Sequence, residues 1–409
     1  EALGCSVNSV KKIFVRRTTS RPLPAGTMDL NELLDTSPEK PDHTMDPDAI
    51  SHLMYTSGTT GFPKGVVNRS GSGRIDKFVA LAELIYQPDD ILYTALPLFH
   101  ANALSLTAGF AMARGVPMAL EKRFSASGFW DSVRRYNGTT FNALGAMVPI
   151  LMKQPEKPND KDNPVRLVVT SACPATLWKS FEKRFDAKIW EVFGAVDGGG
   201  ALTFNFGDAP VGSVGKMVSG HPWKLVDDEG REVLQGEIGE LITQVKDTST
   251  GSVEYYKNPE ASHKKVRDGW VYHGDLFFAD KDDNLFFVDR KTDCMRRRGE
   301  NISSFEVENI IEKHPHIAVC AAFGVPSELG EDEVMVWVKP IEGVNLNLED
   351  LMRHCVDNMA YFMVPRYVNI VDDIPRTGTL RVQKARMKKQ GVTDRTWDRE
   401  KEMPDLKLK

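Results

Sequence analysis

Residues 55–65 read Tyr55-Thr56-Ser57-Gly58-Thr59-Thr60-Gly61-Phe62-Pro63-Lys64-Gly65, and this run is the most informative stretch of the chain. It contains three glycines, four Ser/Thr hydroxyls and one lysine. Free backbone N–H groups, hydroxyl donors and a fixed cation are what a polyphosphate needs, so the run predicts a loop that binds a triphosphate. The largely apolar residues 50–55 predict a strand that leads directly into this loop.

The loop has two other interpretations. A Walker P-loop requires Gly-Lys-Ser/Thr after four spacer residues, whereas here Pro63 precedes Lys64 and Gly65 follows it. An ordinary P-loop nucleotidase is therefore disfavoured. A flexible surface turn rich in Gly, Ser and Thr stays open as the second alternative, although a strand feeding into the loop argues against it.

Length and composition limit the class of protein. A chain of 409 residues exceeds one ordinary core and predicts at least two domains. The net charge of −5, from 52 basic and 57 acidic residues, gives no general electrostatic reason to bind nucleic acid or an anionic membrane. No apolar run approaches the length of a bilayer span, and the first residues lack a signal-peptide core.

The cysteines point to a reducing compartment. They are odd in number, scattered and never in a paired metal-ligand spacing: Cys5, Cys173, Cys294, Cys320 and Cys355. This pattern suggests neither a disulfide framework nor a zinc site. We therefore expect a cytoplasmic protein.

The texture of the sequence changes twice along the chain. Residues 50–205 alternate short apolar runs with amphipathic segments, which predicts parallel strands joined by crossover helices. Strands are predicted at residues 91–95, 117–120, 165–170 and 189–193, and helices at residues 101–114, 127–136 and 175–185. Residues 207–289 are punctuated by glycines and predict a small antiparallel sheet or barrel.

A third texture begins after Asp289. The basic run Arg296-Arg297-Arg298 is followed by a predicted helix at residues 304–313, strands at 317–325 and 333–338, and a helix at 348–359. The predicted fold class is thus α/β. We expect a large N-terminal domain over residues 1–289, with parallel sheets, flanking helices and a small antiparallel subdomain, followed by a small α+β domain over residues 290–409.

Seven further motifs follow the loop in order. They are Leu96-Pro97-Leu98-Phe99-His100, Ser171-Ala172-Cys173-Pro174, Phe193-Gly194-Ala195-Val196-Asp197, Gly212-Ser213-Val214-Gly215, Gly269-Trp270-Val271-Tyr272-His273-Gly274-Asp275, Asp289-Arg290-Lys291 and Gly299-Glu300-Asn301-Ile302. With the loop, this series resembles the adenylate-forming superfamily, which includes acyl-CoA synthetases, peptide-synthetase adenylation domains and luciferases. The resemblance runs from Tyr55 to Lys384. The ending, with Gly391-Val392-Thr393 and Thr396-Trp397-Asp398-Arg399-Glu400, is similar to the crotonobetaine/carnitine-CoA ligase-like group.

The resemblance implies a two-step reaction and an acyl-CoA synthetase-like fold whose small C-terminal domain is mobile. A carboxylate attacks the α-phosphate of ATP to give an acyl adenylate and pyrophosphate, and the thiol of coenzyme A then displaces AMP. ATP, Mg²⁺ and coenzyme A are the implied cofactors, and a small or compact carboxylic acid is the implied substrate. Relatives are often dimers, so a homodimer is possible.

The resemblance also assigns nucleotide-binding residues. The phosphates would meet Thr56, Ser57, Gly58, Thr59, Thr60 and Lys64. The base and the adenylate would meet Ala172, Cys173, Pro174, Phe193, Gly194, Ala195 and Val196. Asp275 would accept hydrogen bonds from both ribose hydroxyls, with a turn or cap aspartate as the alternative. Arg290 would add a charged donor, with a surface ion pair as the alternative.

The remaining assignments concern the acyl group, coenzyme A and the hinge. The acyl pocket would be formed by His100, Asn102, Ala103, Leu144, Gly145 and Met147. His100 is also a catalytic candidate, and a core histidine is its alternative role. Coenzyme A would meet Arg298, Gly299, Glu300 and Asn301, with Arg296 and Arg297 as further candidates for its phosphates. Thr292 would be the hinge between the two domains.

Two positions depart from the family's pattern. At residues 193–197 relatives usually carry an aromatic residue, Gly, any residue, Thr and Glu. Asp197 can still face Mg²⁺, but it is one methylene shorter than Glu, and Val196 has no hydroxyl to offer the adenylate phosphate. One phosphate hydrogen bond is lost or is supplied by another group. The family's adenylation lysine aligns with Arg381, and Lys384 is the nearest lysine, so both are catalytic candidates.

The start of the chain differs as well. Relatives carry most of a nucleotide-fold subdomain before the phosphate loop, yet only 54 residues precede Tyr55, so the chain looks truncated. Three functions stay open at this point. They are a carboxylate–CoA ligase, an adenylating enzyme that delivers its acyl group to a carrier-protein thiol, and a nucleotide-binding homologue with impaired catalysis.

Overall fold

The computed structural model describes residues 14–15, 22–33, 46, 48–56, 63–69, 75–245, 253–297, 300–327, 330–377 and 382–408. The chain divides into two compact units, Glu1–Asp46 and Pro47–Lys409. In the first unit, strand β1 (Phe14–Val15) pairs in parallel with β2 (Met28–Asp29). A short 3-10 helix follows at Leu30–Leu33.

The second unit opens with a hairpin around the predicted phosphate loop. Strands β3 (Ile50–Tyr55) and β4 (Gly65–Arg69) pair antiparallel, with Tyr55 opposite Gly65. The strand predicted at residues 50–55 is confirmed. Ser57, Gly58, Thr59 and Thr60 lie outside the described residues. The hairpin is held by the Val67 N–H, which donates to the Glu254 carbonyl, and by the Tyr256 N–H, which donates to the Gly65 carbonyl.

A seven-stranded sheet forms the centre of this unit. Its elements and their connections are α1 (Ile75–Ile85), β5 (Leu92–Thr94), a π-helix (Asn102–Gly109), α2 (Phe110–Arg114), β6 (Met118–Leu120), α3 (Phe129–Tyr136), β7 (Thr140–Leu144), α4 (Met147–Met152), β8 (Leu167–Ser171), α5 (Ala175–Phe185), β9 (Lys188–Gly194), β10 (Leu202–Asn205) and β11 (Lys216–Met217). The strand order is β11-β10-β9-β8-β7-β5-β6, and the strands from β5 to β9 are parallel. The α/β prediction is confirmed.

Helices cover both faces of this sheet because successive strand residues are apolar on both sides. Tyr93 and Val168 pack into a core with α3, α4 and α5, whereas the neighbouring Leu92 and Leu167 pack into a second core with α1 and α2. Burial on both faces is the usual state of parallel strands. The order places β6 on one side of β5 and β7 on the other, so the winding direction reverses between β5 and β7.

The glycine-punctuated region forms a separate antiparallel sheet, as predicted. It contains β12 (Trp223–Val226), β13 (Gly239–Gln244), β14 (Val266–Arg267), β15 (Trp270–Ala279) and β16 (Leu285–Arg290), with α6 (Pro259–Lys265) before β14. Burial alternates strictly along β15, so that His273 and Asp275 face the same buried side as Val271 and Phe277.

The C-terminal module, residues 295–402, is α+β as predicted. It consists of β17 (Met295–Arg297), β18 (Glu300–Ile302), α7 (Ser304–Ile311), β19 (Ile317–Pro326), β20 (Asp332–Pro340), α8 (Leu348–Asn358), β21 (Tyr367–Ile370), α9 (Lys384–Gln390), β22 (Trp397–Asp398) and α10 (Arg399–Glu402). The four-stranded sheet β19-β20-β21-β22 carries α7 and α8 on one face and α9 on the other. In the described part of the chain, every helix is too short or too polar to cross a bilayer.

Candidate active site

Four of the predicted site segments follow the carboxyl ends of parallel strands. His100 lies just beyond β5, Gly145 follows β7, Ala172 follows β8, and Ala195 follows β9. The carboxyl ends of parallel strands lie at one edge of a sheet, and ligands of doubly wound sheets bind there, beside the strand pair where the winding reverses. The sheet therefore collects segments that are far apart in sequence along one edge.

A buried carboxylate shapes the segment assigned to the base. Glu191 on β9 is 2% exposed, and it accepts hydrogen bonds from the Thr170 hydroxyl and from the Ala172 N–H. The Cys173 N–H lies 3.4 Å from both of its carboxylate oxygens. Ala172 has φ of +71°, a left-handed conformation that a residue with a Cβ rarely adopts. Glu191 thus holds the backbone after β8 in an unusual turn.

The charge state of Glu191 is itself unusual. Burial raises the pKa of Glu191 to about 7, although hydrogen bonds from Thr170, Ala172 and Cys173 oppose the rise. Burial also raises the pKa of the Cys173 thiol, so this thiol stays protonated at neutral pH. Cys173 packs in the core beneath the segment. A buried, protonated thiol of this kind behaves as a small packing residue.

The residue assigned to the ribose is also buried. Asp275 on β15 is 8% exposed and lies opposite Arg290 on β16, with 3.7 Å between the Arg290 Nε and the carboxylate. Burial raises the pKa of Asp275 to about 6, while Arg290 and Lys265 hold the rise back. At neutral pH the group is mainly an ionised acceptor, as contact with two hydroxyl groups requires.

His273 on β15 is a buried, neutral ring beside the segment that follows β9. Its Nε2 is 2.9 Å from the Thr243 hydroxyl, and burial lowers the pKa of His273 to about 3. A Cβ on Gly198 would come within 3.0 Å of this ring, so the glycine after Asp197 allows the two segments to approach.

A lysine and a tyrosine contact the residue assigned to the metal, and a second lysine contacts that tyrosine. Asp197 accepts a hydrogen bond from the Tyr255 hydroxyl, and the Lys265 ammonium is 3.5 Å from the same oxygen. Burial would raise the pKa of Asp197, but Lys265 and Tyr255 outweigh it and the pKa is lowered. The Lys64 ammonium lies 5.0 Å from the centre of the Tyr255 ring. Thr56 is next to Lys64, because its N–H donates to the Lys64 carbonyl.

The side chain of Val196 is directed to apolar neighbours. It packs against a cluster that includes Val66, Tyr255 and Val271. The residue before it, Ala195, is partly buried, and Phe193 contacts Phe277 edge to face with ring centres 4.9 Å apart. The segment after β9 is thus fixed by packing, and Val196 contributes no polar group.

The residues assigned to the acyl pocket differ in their exposure. His100, Asn102 and Leu144 are partly exposed and Gly145 is exposed, whereas Ala103 and Met147 have no exposed surface. Asn102 accepts a hydrogen bond from the Asn142 amide, and the Gly145 N–H donates to the Ser171 carbonyl. Burial lowers the pKa of His100, which favours a neutral ring. The predicted helix 101–114 begins as a π-helix directly after His100, a geometry often found at functional sites.

The residues assigned to coenzyme A lie at a hairpin of the C-terminal module. Glu300 and Asn301 are exposed on β18, while Arg298 and Gly299 lie outside the described residues. Arg297 cannot meet a phosphate in this structure, contrary to the expectation from the basic run. It is 1% exposed, pairs with Glu333 at 2.9 Å and donates to the Phe362 and Val364 carbonyls. Arg297 is buried because the long strand β20, which lies beside it, is itself buried.

The two catalytic candidates near the C-terminus are Arg381 and Lys384. Arg381 lies outside the described residues. Lys384, at the start of α9, is 9% exposed; its ammonium is 2.8 Å from Glu308 and donates to the Ser304 hydroxyl. In this arrangement the charge of Lys384 is used inside the C-terminal module.

Contacts across the predicted hinge fix one arrangement of the C-terminal module. Asp289, at the end of β16, accepts hydrogen bonds from the Ser304 N–H and hydroxyl at the start of α7. The exposed Thr292 offers its carbonyl to the Lys388 ammonium at 2.9 Å. The Lys153 ammonium, just after α4, donates to the Ile317 carbonyl at 3.0 Å.

Sequence reasoning missed three residues of this site: Glu191, Tyr255 and Lys265. Glu191 lies within a predicted strand, where an isolated acidic residue gives no signal of burial. Tyr255 and Lys265 lie in the glycine-punctuated region, and their contacts with Asp197 span 58 and 68 positions. A resemblance carried by motifs does not include residues between the motifs.

Comparison with known proteins gives the same family over both parts of the chain. The AMP-binding enzyme family matches residues 7–251, and the AMP-binding enzyme C-terminal domain matches residues 306–380. A crotonobetaine/carnitine–CoA ligase of Salmonella heidelberg (strain SL476) is 30% identical over 348 residues, which are 83% of this chain and 67% of that ligase. The chain thus spans about two thirds of the length of this relative.

Solved structures give the same fold. The anthranilate CoA ligase AuaEII, in complex with anthranoyl-AMP, superposes with a TM-score of 0.78 at 23% identity, covering 90% of this chain and 72% of that one. The O-succinylbenzoate coenzyme A synthetase of Bacillus subtilis, in complex with ATP and a magnesium ion, gives a TM-score of 0.73 at 25% identity, covering 88% and 75%.

Proposed function

The chain belongs to the family of AMP-binding enzymes, and we propose on that basis that it is an ATP-dependent, AMP-forming carboxylate–CoA ligase. The carboxylate oxygen attacks the α-phosphorus of ATP and expels pyrophosphate, which leaves an acyl adenylate. The thiol sulfur of coenzyme A then attacks the acyl carbonyl carbon, loses its proton and displaces AMP. A small or compact carboxylic acid is the proposed substrate.

One observation carries the proposal. The segments assigned to the acyl group, the base and the metal leave neighbouring parallel strands at one edge of the central sheet. The buried Asp275, assigned to the ribose, lies close enough to them that Asp197 and Lys265 shift its pKa. A sheet edge with a backbone segment for the base, an ionised acceptor for the ribose and a lysine near both suits a nucleotide.

The chain's own residues would perform distinct tasks in this reaction. Asp275 would hold the ribose, and the segment held by Glu191 would carry the base. Lys64 and Thr56 would orient the phosphates, so that the α-phosphorus faces the carboxylate. The neutral His100 lies where acid and thiol would meet. Arg381 stays a prediction for the cation that adenylation needs, because it lies outside the described residues.

The site fits a magnesium ion that is held by Asp197 together with the phosphates of ATP. In the part of the chain that the structure describes, no group of three or more metal-ligating side chains comes together. Mg²⁺ in nucleotide sites usually takes one or two carboxylates together with phosphates and water, and Asp197 is an ionised carboxylate at this end. When bound, the ion would neutralise the leaving pyrophosphate.

The arrangement of the whole enzyme follows the same proposal. We take the boundary between the two catalytic domains at residues 289 and 290 and the hinge at Thr292, supported by the contacts that Asp289 makes across it. Glu300 and Asn301, exposed beside the hinge, would face coenzyme A. A cytoplasmic location is supported by the free cysteines Cys173, Cys294, Cys320 and Cys355. A homodimer is the proposed assembly, and size-exclusion chromatography with light scattering checks it.

The decisive experiment measures pyrophosphate, AMP and acyl-CoA from the purified protein with ATP and a panel of acids. The panel contains short, cyclic and betaine carboxylates, because the crotonobetaine/carnitine–CoA ligase relative is named for betaine acids. We expect equal amounts of pyrophosphate, AMP and acyl-CoA for at least one acid, and only when coenzyme A is present.

Other outcomes would replace the proposal. Pyrophosphate with an acyl adenylate, but no acyl-CoA, would indicate delivery to a carrier-protein thiol. ATP binding without any pyrophosphate across the panel would contradict the ligase and indicate a nucleotide-binding homologue.

A further inference from the structure

We propose that Lys265 supplies a fixed positive charge at the phosphate end of the nucleotide site, where Asp197 anchors it. In this role it takes over the phosphate contact that Val196 cannot make. The inference rests on the proposed use of ATP, and it assigns a contact to a residue that none of the sequence motifs contains.

The placement of the Lys265 ammonium is defined by two acceptors. Lys265 is the last residue of α6, and its side chain is 14% exposed. The ammonium lies 3.5 Å from Asp197 Oδ2 and donates to the His273 carbonyl at 3.2 Å. An ammonium carries three donors, and among the residues that the structure describes these two acceptors account for two of them. One donor is therefore left for a ligand.

Tyr255 connects this charge to the predicted phosphate loop. Its hydroxyl donates to the same carboxylate oxygen that Lys265 approaches, and its ring lies 5.0 Å from the Lys64 ammonium. The Tyr255 side chain therefore lies near both ammonium groups. Two cations near one residue are suited to a ligand that carries several negative charges.

The same lysine is close to the residue assigned to the ribose. Lys265 is among the charges that hold down the pKa of Asp275 and of His273. The α-phosphate of a bound nucleotide joins the ribose to the outer phosphates. A cation between Asp275, assigned to the ribose, and Lys64, assigned to the outer phosphates, would therefore contact the α-phosphate.

The neighbouring segment explains why a lysine is needed. Val196 packs among apolar residues and has no donor, although the family places a threonine hydroxyl there. Ammonium-to-phosphate contacts are charge-assisted and stronger than contacts from a neutral hydroxyl. Lys265, which lies in a different part of the fold, therefore offsets the phosphate contact that is lost at Val196.

The alternative is an ion pair that only stabilises the fold. Lys265→Met tests the difference when binding of adenosine, AMP and ATP is measured by calorimetry with EDTA present. We expect affinity for AMP and ATP to fall about tenfold, because one charge-assisted contact is lost, while affinity for adenosine stays unchanged. Equal losses for all three ligands, or no loss, would overturn the proposal.

Three further variants make the result specific. Lys264→Met changes the preceding lysine, which is 73% exposed and paired with Glu260, and it should bind all three ligands like wild type. Lys265→Arg should retain part of the affinity for AMP. Lys265→Met combined with Asp197→Asn removes the carboxylate that the single variant leaves unpaired. If this double variant regains AMP affinity, the loss came from Asp197 and the proposal is wrong.

The two proposals fail in different ways. If the wild-type protein binds ATP no better than adenosine, the proposed use of ATP fails. If wild type prefers ATP and Lys265→Met keeps that preference in full, only the role of Lys265 fails. Thermal unfolding of each variant checks that the folded protein is compared.

Discussion

The base end and the phosphate end of the proposed site each contain a buried carboxylate, and the pKa values of the two carboxylates shift in opposite directions. At the base end, Glu191 is met by neutral hydrogen-bond donors, and its pKa rises to about 7. At the phosphate end, Asp197 is met by Lys265 and Tyr255, and its pKa falls. The difference indicates that the first carboxylate sets the geometry of a turn, whereas the second holds a charge in place.

Asp275→Ala should have the largest effect, because the proposed ribose contact joins the two ends of the site. Loss of the charged acceptor leaves two hydroxyls and Arg290 without their partner, so we expect kcat/KM for ATP to fall about a hundredfold or more. The measurement compares ATP with 2′,3′-dideoxy-ATP. Wild type should prefer ATP and the variant should not. A variant that still discriminates between them would show that the ribose is held elsewhere. Asp131→Ala, at an exposed carboxylate, is the control.

Glu191→Ala tests the geometric role of the base end. Without the carboxylate, the N–H groups of Ala172 and Cys173 are buried without an acceptor, and the left-handed turn relaxes. We expect KM for ATP to rise about tenfold with a smaller change in kcat, and Glu191→Gln should restore most of the binding. Glu182→Ala removes a carboxylate that accepts from the Ile189 N–H at the start of the same strand, and KM should not change. Equal effects of both alanine variants would refute a specific role.

Lys64→Met sharpens the comparison within the phosphate end. Lys64 belongs to the loop assigned to the outer phosphates, so we expect ATP affinity to fall several-fold and AMP affinity to stay the same. Lys265→Met should weaken both nucleotides. If Lys64→Met weakened AMP as strongly as ATP, the two lysines would not divide the phosphates as proposed.

Glu191→Gln should have the smallest effect on nucleotide binding and a pH-dependent effect on stability. The pKa of Glu191 is raised from 4.5 to about 7, so its contribution to stability is complete below pH 4.5 and is lost as pH rises through 7. The loss amounts to at most about 3 kcal/mol. The free energy of unfolding of the variant, relative to wild type, should therefore increase from pH 5 to pH 8 in denaturant titrations. A difference independent of pH would mean that Glu191 titrates normally.

Sequence reasoning predicted more of the fold than of the candidate site. The strand at residues 50–55, the parallel α/β region, the antiparallel sheet and the α+β module are confirmed, because hydrophobic periodicity and glycine breaks are local signals. The burial of Arg297 was missed. Three consecutive arginines predict a solvent-exposed segment. Only the packing of β17 against β20 shows that the second of them, Arg297, is buried.

The site residues that the sequence missed have no local signal. Ala172 is an unlikely residue for a left-handed turn, and its conformation depends on Glu191, which follows 19 positions later. Lys265 is one of two adjacent lysines, and only the fold makes one of them buried and the other exposed. Neither distinction can be drawn from residue type or spacing.

The sequence by itself determined the motifs, their order and therefore the family, because these depend on residue types close together in the chain. The tertiary structure decided how the charges are arranged. It paired Asp197 with Lys265, left Glu191 without a cation among the described partners that shift its pKa, and enclosed Lys384 beside Glu308. Burial and charge pairing depend on groups that only folding brings together. They determine the pKa values of the site residues and which hydrogen-bond donors are available to a ligand.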